Sequence, residues 1–398
     1  MSLIMTDLEQ LQQGLPPLDN TLLEEMTLAN ELWLEKFKTH YLDNYLPLGG
    51  SKVKILVGSA GSGKTHLLRM VKKYAQDMGY LTVLLNMRET DLKFSDMVRL
   101  YQTIAGNINQ ELLRGLCRKV AEELGYSIEE YDGSGSILPL LMEKEGLNRQ
   151  KAIREVRKKA QIVFSNSDLS PAFQIFAYSI VRQRMVEEED NFIDDCWKWF
   201  KGNKLEIVEK KRTKLFDRLT KPNARVWLYS LIRLIRLAGK TGAIFLVDNL
   251  EFITERDPQT NRLYYTPNAI KDTFELIRQL IDDGEVLPNF LLVLSGRREI
   301  LDDELRGLLS YRPLLDRLET GLVKIDQFNP FADIVDMDEH LKMAGGSEFA
   351  EQAARKLLGI LQQNGFRLGA KKIKLPKNTG ELRRQIMETA LLAEKEAN

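Results

Sequence analysis

One segment of the sequence has the residue types and spacing that bind phosphate. Residues 58–65 fit the pattern G-x-x-x-x-G-K-[ST] without a mismatch. Its glycines let the backbone curl so that N–H groups point at phosphate oxygens, and a helix that starts there adds partial positive charge. We expect Lys64 to reach the β and γ phosphates of ATP and Thr65 to bind Mg²⁺. The predicted nucleotide-binding residues are Gly58, Ser59, Ala60, Gly61, Ser62, Gly63, Lys64, Thr65 and the adjacent His66.

The flanking sequence predicts a strand before this loop and a helix after it. Residues 52–57 are rich in β-branched and apolar side chains, and residues 67–78 have the spacing of an amphipathic helix. The alternative is a chance match in a strand, turn and helix without a ligand, and it requires both the motif and its context to be accidental. The sequence has no Asn-Lys-x-Asp run that would recognise guanine, which favours ATP over GTP.

A second segment supplies the carboxylate that such a site needs. Residues 243–248 form an apolar strand that ends in Asp248, which we predict to bind Mg²⁺ together with Thr65. The next position usually carries the glutamate that polarises the attacking water, but here it is Asn249. Glu251 would share the face of Asn249 if the strand continued, so it is the candidate base. The alternatives are a turn aspartate, a solvated glutamate and slow hydrolysis.

Two further polar residues are placed to contact the water or the γ-phosphate. Ser295 ends the apolar segment 290–295, which we expect to lie between the two motif strands, and Arg297 is a second candidate there. Arg383 follows a glycine in a G-x-x-R pattern that opens the predicted helix 381–394, where a lid would bring it above the nucleotide. A strand-end serine and a surface arginine are the alternatives.

One arginine is a candidate for catalysis in a neighbouring subunit. Arg317 lies in a short predicted helix, 308–318, just ahead of the predicted strand 321–325. In oligomeric ATPases an arginine in this place stabilises charge on the phosphoryl group bound by the next subunit. Arg312 is the second candidate, and an ordinary ion pair with an acidic neighbour is the alternative. We therefore expect a homo-oligomer.

The apolar segments predict an α/β fold in which helices cover both faces of a parallel sheet. More than 150 residues separate the second and third predicted strands, so a large helical insertion must interrupt the core. The five predicted strands are 52–57, 81–86, 243–248, 290–295 and 321–325. The predicted domains are N-terminal helices at 1–48, a P-loop NTPase core at 49–106 and 223–328, the helical insertion at 107–222 and a C-terminal helical lid at 329–398.

Composition excludes several classes of protein. The 398 residues are 43% hydrophobic and 29% charged, as in globular proteins. Lysine plus arginine equals aspartate plus glutamate, at 57 each, so binding of nucleic acid through bulk positive charge is excluded, although a local basic patch is not. Two cysteines and three histidines argue against a disulfide framework or a histidine-built metal site. No long apolar run and no signal peptide are found, which favours a cytoplasmic protein without a membrane contact.

The insertion carries clusters of both charges. Residues 149–159 and 210–214 are basic, whereas 187–190 is acidic. The basic clusters are suited to DNA or RNA phosphates, but a solvated helix face is the commoner explanation. The polar segment 256–268 predicts an extended loop beside the site, where a sensing contact is expected.

The order of these motifs resembles that of AAA+ ATPases related to the origin-recognition group. Residues 61–69, 100–108 and 311–318 are similar to the ATP-binding proteins of BREX phage-defence systems, of the BrxD type. The resemblance covers about 45–110 and 225–325 and implies an AAA+-like fold and an ATP-dependent factor that works with DNA and other defence proteins. Such proteins commonly carry Asp-Glu at the metal strand, so Asn249 departs from their pattern.

Two functions therefore follow from the sequence. The first is an ATPase that uses nucleotide hydrolysis to act on DNA or on a partner bound to DNA. The second is a hydrolysis-poor switch or scaffold that binds ATP and recruits partner proteins in that state. A small-molecule kinase is disfavoured, because the long chain shows no compact lid for an acceptor.

Overall fold

A parallel sheet of five strands lies at the centre of the protein, in a computed structural model that describes residues 5–89, 92–187, 190–318, 329–368 and 379–395. The strand order is β2-β3-β4-β1-β5. The predicted α/β fold with a five-stranded parallel sheet is confirmed. The strands are β1 (Ser51–Gly58), β2 (Leu81–Asn86), β3 (Ala243–Asp248), β4 (Phe290–Arg297) and β5 (Ile334–Asp336).

The register of the sheet brings the ends of four strands together. Strand β4 lies between β1 and β3, as predicted, and Gly58 at the start of the phosphate-binding loop is the register partner of Arg297. On the other side of β3, Asn86 is the partner of Asp248. Every residue of β3 is buried, because helices cover both faces of the sheet and an apolar run suits that environment.

The fifth strand of this sheet is not the segment that the sequence predicts. Residues 321–325 lie outside the described residues, and the strand beside β1 is instead Ile334–Asp336, within the predicted C-terminal lid. It is only three residues long and is flanked by Asp333, whose carbonyl accepts from the N–H of Ile55 at 2.7 Å. A strand this short has no apolar run that stands out from a loop.

In the described part of the N-terminal region, four short helical pieces precede two helices that belong to the core. Helix α4 begins at Lys64, directly after the phosphate-binding loop, so that its N-terminus faces the loop. The pieces are α1 (Met5–Gln12), α2 (Asn20–Met26), α3 (Leu34–Phe37), a π-helix (Lys38–Tyr45), α4 (Lys64–Asp77) and α5 (Met97–Gly106).

The insertion is helical and shares one hydrophobic core with the sheet. Its aromatic side chains meet α12, the helix that leads into β3: the rings of Trp199 and Trp227 are 4.3 Å apart, and those of Phe173 and Trp227 are 5.4 Å apart. The helices of the insertion are α6 (Glu111–Glu123), α7 (Leu138–Glu145), α8 (Arg149–Ser165), α9 (Pro171–Arg182), a π-helix (Gln183–Glu187), α10 (Asp190–Phe200) and α11 (Ile207–Thr213), and α12 (Ala224–Leu237) follows them.

The last part of the chain returns to the N-terminus. Buried side chains of α1, among them Leu8 and Leu11, share a small core with Leu357, Leu361 and Ala390. The described helices contain none that is long and apolar enough to cross a membrane. The remaining elements are α13 (Pro267–Asp282), α14 (Glu299–Asp302), α15 (Arg312–Leu318), α16 (Met337–Met343), α17 (Ser347–Gln363), α18 (Thr379–Leu391) and the antiparallel pair β6 (Phe366–Leu368) and β7 (Ala393–Lys395).

The contact between the insertion and α12 leads to a prediction about stability. A Cβ atom on Gly115 of α6 would lie far inside van der Waals contact with the carbonyl oxygen of Ala238, so the backbone would have to move. We expect Gly115→Ala to lower the free energy of unfolding by about 1–3 kcal/mol in urea denaturation. Gly106→Ala is the control, since a Cβ there meets open space and should be neutral or stabilising by about 0.5–1 kcal/mol. Equal stabilities for the two variants would contradict this packing.

Candidate nucleotide-binding site

Two glycines let the phosphate-binding loop turn tightly between β1 and α4. Gly61 and Gly63 have φ angles of 85° and 86°, in the left-handed region that favours glycine. The N–H of Ser62 donates to the carbonyl oxygen of Ser59 at 3.2 Å, which closes the turn. The backbone therefore adopts the curled form that the sequence predicts for residues 58–65.

Lys64 is held inside this loop by neutral oxygens. Its Nζ donates to the carbonyl oxygens of Gly58 and Ser59, both at 2.8 Å, and to the hydroxyl of Ser62 at 3.2 Å. Burial lowers the pKa of Lys64, and the negative charges of Glu251, Asp248 and Asp338 oppose that shift. Because no carboxylate of the described residues is hydrogen-bonded to the amine, its charge remains available to an anion in the loop.

A carboxylate joins the two motif strands to the strand between them. The hydroxyl of Thr65 donates to Asp248 Oδ2 at 2.6 Å, and the hydroxyl of Ser295 donates to Oδ1 of the same side chain. The N–H of Asn249 also donates to Oδ1, at 2.9 Å. Asp248 is buried, so these donors offset the cost of removing its charge from water.

The residues at this point fit a magnesium ion. Mg²⁺ prefers oxygen ligands and is usually bound by one or two carboxylates together with substrate phosphates. The hydroxyl of Thr65 and the carboxylate of Asp248 provide such oxygens directly beside the loop. Within the described residues, no cluster of three or more His, Cys, Asp or Glu side chains is suited to a metal ion.

The chain turns immediately after Asp248, so the strand does not continue to Glu251. Asn249 has φ 62° and ψ 43°, a left-handed conformation that asparagine tolerates, and a 3₁₀ turn, Leu250–Thr254, follows. The side chain of Asn249 donates to Asn86 Oδ1 at 2.7 Å. The sequence placed Glu251 on the face of Asn249 only if the strand continued past Asp248, and the strand does not continue. Both residues nevertheless line the same cavity.

Glu251 is buried and is contacted by two arginines. Its Oε1 lies 3.4 Å from Arg88 Nη2 and 3.5 Å from Arg297 Nε, and its Oε2 accepts from the backbone N–H of Arg297 at 3.0 Å. The sequence predicted neither the contact of Arg88 with Glu251 nor the hydrogen bond that Asn86 accepts from Asn249. Their position at and after the end of 81–86, next to the metal strand, is the signal that could have indicated both residues.

A cavity of about 630 Å³ opens beside the loop, within the usual size range of small-molecule sites. Its walls come from the loop, the ends of β2, β3 and β4, the N-terminal segment and helices α16 to α18. Arg383 lies directly over the loop, since a Cβ on Gly61 would be 3.0 Å from Arg383 Cβ. The structure thus brings Arg383 to the loop, where the sequence expected it.

His66 connects the loop to the N-terminal segment. Its Nε2 lies 2.8 Å from the hydroxyl of Thr27, which itself donates to the carbonyl oxygen of Leu23, so the ring nitrogen is the donor. Desolvation, with the positive charges of Arg69 and Lys356, lowers the pKa of His66 to about 4. At neutral pH the imidazole is therefore uncharged and holds the segment rather than offering a cation to phosphate.

Further contacts around the loop come from residues that the sequence did not indicate. Arg69 Nη1 donates to the carbonyl oxygens of Pro16 and Pro17, the second at 3.0 Å, which fastens the N-terminal segment to α4. Asp338 of α16 accepts from the N–H of Ser59 at 2.9 Å and from its hydroxyl at 2.7 Å. Both contacts join segments that are distant in the sequence, so no local sequence pattern predicts them.

Arg317 lies outside the lining of this cavity. Its Nε donates to Asp282 Oδ1 at 2.6 Å and its Nη1 to the carbonyl oxygen of Pro313 at 2.8 Å, so it ties α15 to α13. Arg312 is exposed and forms an ion pair with Asp316 at 2.7 Å. Within one chain, neither arginine is brought to the phosphate-binding loop.

Comparison with known families agrees with this site. A model described as BREX system ATP-binding protein BrxC/D matches residues 40–340, which include the loop, all five strands of the sheet and the insertion. The match therefore extends over the insertion, where the sequence alone showed little resemblance. No curated protein and no solved structure matches the chain. Because the family model covers more than half of the chain, this protein belongs to the BrxC/D family of BREX system ATP-binding proteins.

Proposed function

We propose that this protein is a Mg-ATP-dependent ATPase of the AAA+ type that uses nucleotide binding and hydrolysis to act on DNA, or on a DNA-bound partner, in BREX defence. The observation that carries the proposal is the Thr65–Asp248 pair at 2.6 Å beside the amine of Lys64. The position of β4 between the motif strands and of Arg383 above the loop supports the AAA+ assignment.

Each of these residues has a defined task in the proposed reaction. Lys64 and the N–H groups of the loop hold the β and γ phosphates, while Thr65 and Asp248 hold Mg²⁺. When bound, the metal neutralises charge on the phosphate oxygens. Ser295 fixes the Asp248 carboxylate, and Arg383 contacts the γ-phosphate from the C-terminal helices.

In the hydrolysis step, Glu251 accepts a proton from water as the water oxygen bonds to the γ-phosphorus. The bond from that phosphorus to the bridging oxygen breaks, and ADP leaves with the electron pair. A carboxylate can accept this proton, whereas the amide of Asn249 cannot. Glu251, and not Asn249, is therefore the general base in this proposal.

The loop geometry leads to a prediction about binding. We expect Lys64→Ala to reduce ATP affinity at least 100-fold, on the order of 3 kcal/mol, because the amine offers the loop's buried positive charge to the phosphates. Isothermal titration calorimetry with Mg-ATP measures this affinity. Lys72→Ala, in the same helix α4, is the control and should bind as the wild type does. Wild-type affinity in Lys64→Ala would contradict the proposed site.

A second function has an observation in its favour. A hydrolysis-poor switch or scaffold, which binds ATP and recruits partner proteins in that state, is supported by Asn249 in the usual position of the base. It is also supported by the arginines around Glu251, whose contacts occupy both carboxylate oxygens. The two functions differ in whether Glu251 supports turnover.

Steady-state turnover with and without DNA separates these functions. An ATPase should turn over at roughly 0.1–10 per second, and Glu251→Gln should lower kcat by about 100-fold, because an amide cannot take the proton. The exposed Glu304→Gln is the control and should keep wild-type turnover. A switch would show little turnover in the wild type, and Glu251→Gln would not change it.

The proposed assembly is a homo-oligomer in which Arg317 completes the site of the next subunit. The support is that Arg317 does not line this chain's own cavity and that it lies on the exposed face of helix α15. To act there, the guanidinium would have to exchange Asp282 for the phosphoryl group of the neighbouring site. An exposed ion pair of this kind is worth about 0–1 kcal/mol, so the exchange costs little.

Action on DNA is supported by the outer face of α8. Lys151, Arg154 and Lys158 are exposed on it, and none of the three forms an ion pair with any described residue. The opposite face is buried against neighbouring helices of the insertion. The second basic cluster is less suited to phosphate, since Arg212 is paired with Asp195. Because these three cations follow one helix face, we place the DNA contact on α8.

The exposed face of α8 leads to a prediction about DNA affinity. Neutralising Lys151, Arg154 and Lys158 to glutamine should weaken duplex binding and reduce the slope of log affinity against log salt by about 0.9 for each phosphate that the variant no longer binds. Fluorescence anisotropy between roughly 50 and 200 mM salt measures both quantities. Neutralising Lys210, Lys211 and Lys214 is the control. If only the control variant bound DNA more weakly, the DNA contact would lie on 210–214 instead.

A further inference from the structure

Two arginines and two glutamates form a ring at the ends of β2, β3 and β4. Arg88 Nη2 contacts both Glu251, at 3.4 Å, and Glu255, and Arg297 lies 3.5 Å from Glu251 and 3.9 Å from Glu255. The ring adjoins the nucleotide cavity, but only Glu251 and Arg297 line it. Arg88 and Glu255 are behind them.

The ring leaves Glu251 poorly disposed to accept a proton. A carboxylate has about four lone-pair sites, and three of those on Glu251 face the two guanidinium groups and the N–H of Arg297. Its side chain is only 5% exposed. A water molecule that approaches from the cavity therefore competes with charged donors for the same oxygens.

The two arginines differ in how firmly they are held. Arg88 is fixed from behind by Glu255 and lies over the ring of Phe252, 5.7 Å from its centroid. Phe252 in turn stacks on Tyr264 at 4.4 Å, and the N–H of Tyr264 donates to the carbonyl oxygen of Glu255. Arg297 has a side chain 45% exposed on the cavity wall. It is thus free to turn toward an anion, whereas Arg88 is not.

We propose that Arg88 is a positioning residue that restrains hydrolysis by holding the Glu251 carboxylate away from the attacking water. The inference rests on the proposed role of Glu251 as the base. When the triphosphate draws Arg297 into the cavity, Arg88 remains as the charged donor on Glu251 Oε1. Turnover is then limited by how often Glu251 leaves Arg88, not by nucleotide binding.

Steady-state ATPase kinetics of the full chain test this restraint. Arg88→Ala should raise kcat on the order of three- to ten-fold and leave KM within about two-fold, because the contact acts on Glu251 and not on ATP. Arg88→Lys keeps the charge and should stay near the wild-type kcat. Arg256→Ala is the matched control, since Arg256 is an exposed cation next to Glu255 in the sequence and donates to the carbonyl oxygen of Asn261.

A double variant shows whether the gain passes through Glu251. In Arg88→Ala combined with Glu251→Gln the gain should vanish, and kcat should equal that of Glu251→Gln alone. If Arg88→Ala does not fold by circular dichroism, Arg88→Gln replaces it, because glutamine keeps most of the side-chain volume without the charge. A gain in turnover from an undetectable wild-type level would also support the restraint.

The failures of the two proposals are distinguishable. If Glu251→Gln loses turnover but Arg88→Ala leaves kcat unchanged or lowers it, the restraint is wrong and the base role stands. If Glu251→Gln turns over normally, the base role fails and the restraint fails with it. If the gain in Arg88→Ala persists in the double variant, Arg88 acts through another group and the inference is overturned.

Discussion

The carboxylate of Asp248 is the point on which the site depends. It accepts from the hydroxyls of Thr65 and Ser295, so one buried charge connects the loop after β1, the end of β3 and the end of β4. A buried carboxylate costs several kcal/mol unless donors surround it, and the parallel register of the three strands is what supplies those donors. The negative charge of Asp248 also acts on Lys64, where it opposes the lowering of the pKa by burial. The geometry of this group of oxygens is therefore a consequence of the sheet and not of a flexible loop.

The parts of the site that the sequence predicted are those that local chemistry dictates. The left-handed glycines of 58–65 and the apolar strand that ends in Asp248 each have a pattern within a few residues, and the structure places both as the local pattern indicates. The place of β4 between the motif strands was expected from the arrangement in similar nucleotide switches and not from a local pattern, and the sheet has that order.

The parts that the sequence did not predict depend on contacts between distant segments. Strand β5 is too short to stand out, and its place beside β1 comes from pairing with Ile55 to Val57. Arg88 meets Glu251 only because β2 neighbours β3. The turn at Asn249 ends the strand before Glu251 and requires an asparagine in the left-handed conformation. No periodic sequence pattern predicts such a residue.

Lys64 and Glu251, the two charged residues on either side of the site, differ in whether their contacts are neutral or charged. Lys64 rests on neutral carbonyl and hydroxyl oxygens, so a phosphate can replace those contacts without separating an ion pair. Glu251 rests on guanidinium groups that are 36% and 45% exposed, so freeing its buried carboxylate does separate an ion pair. In the proposed reaction, releasing the buried Glu251 carboxylate from these arginines would therefore cost more free energy than replacing the neutral contacts of Lys64.

The N-terminal segment and the C-terminal helices are packed together beside this site. Helix α1 shares a core with α17 and α18, while Arg69 of α4 holds the carbonyl oxygen of Pro17 just after α1. Arg383 of α18 lies over Gly61 and donates to the carbonyl oxygen of Gln13 at 3.4 Å. A nucleotide in the loop would therefore contact a single layer built from both ends of the chain, since any shift of α18 that brings Arg383 toward a phosphate also displaces α1. Because α1 and α18 share a small apolar core, a nucleotide that contacts Arg383 would also act on the packing of α1.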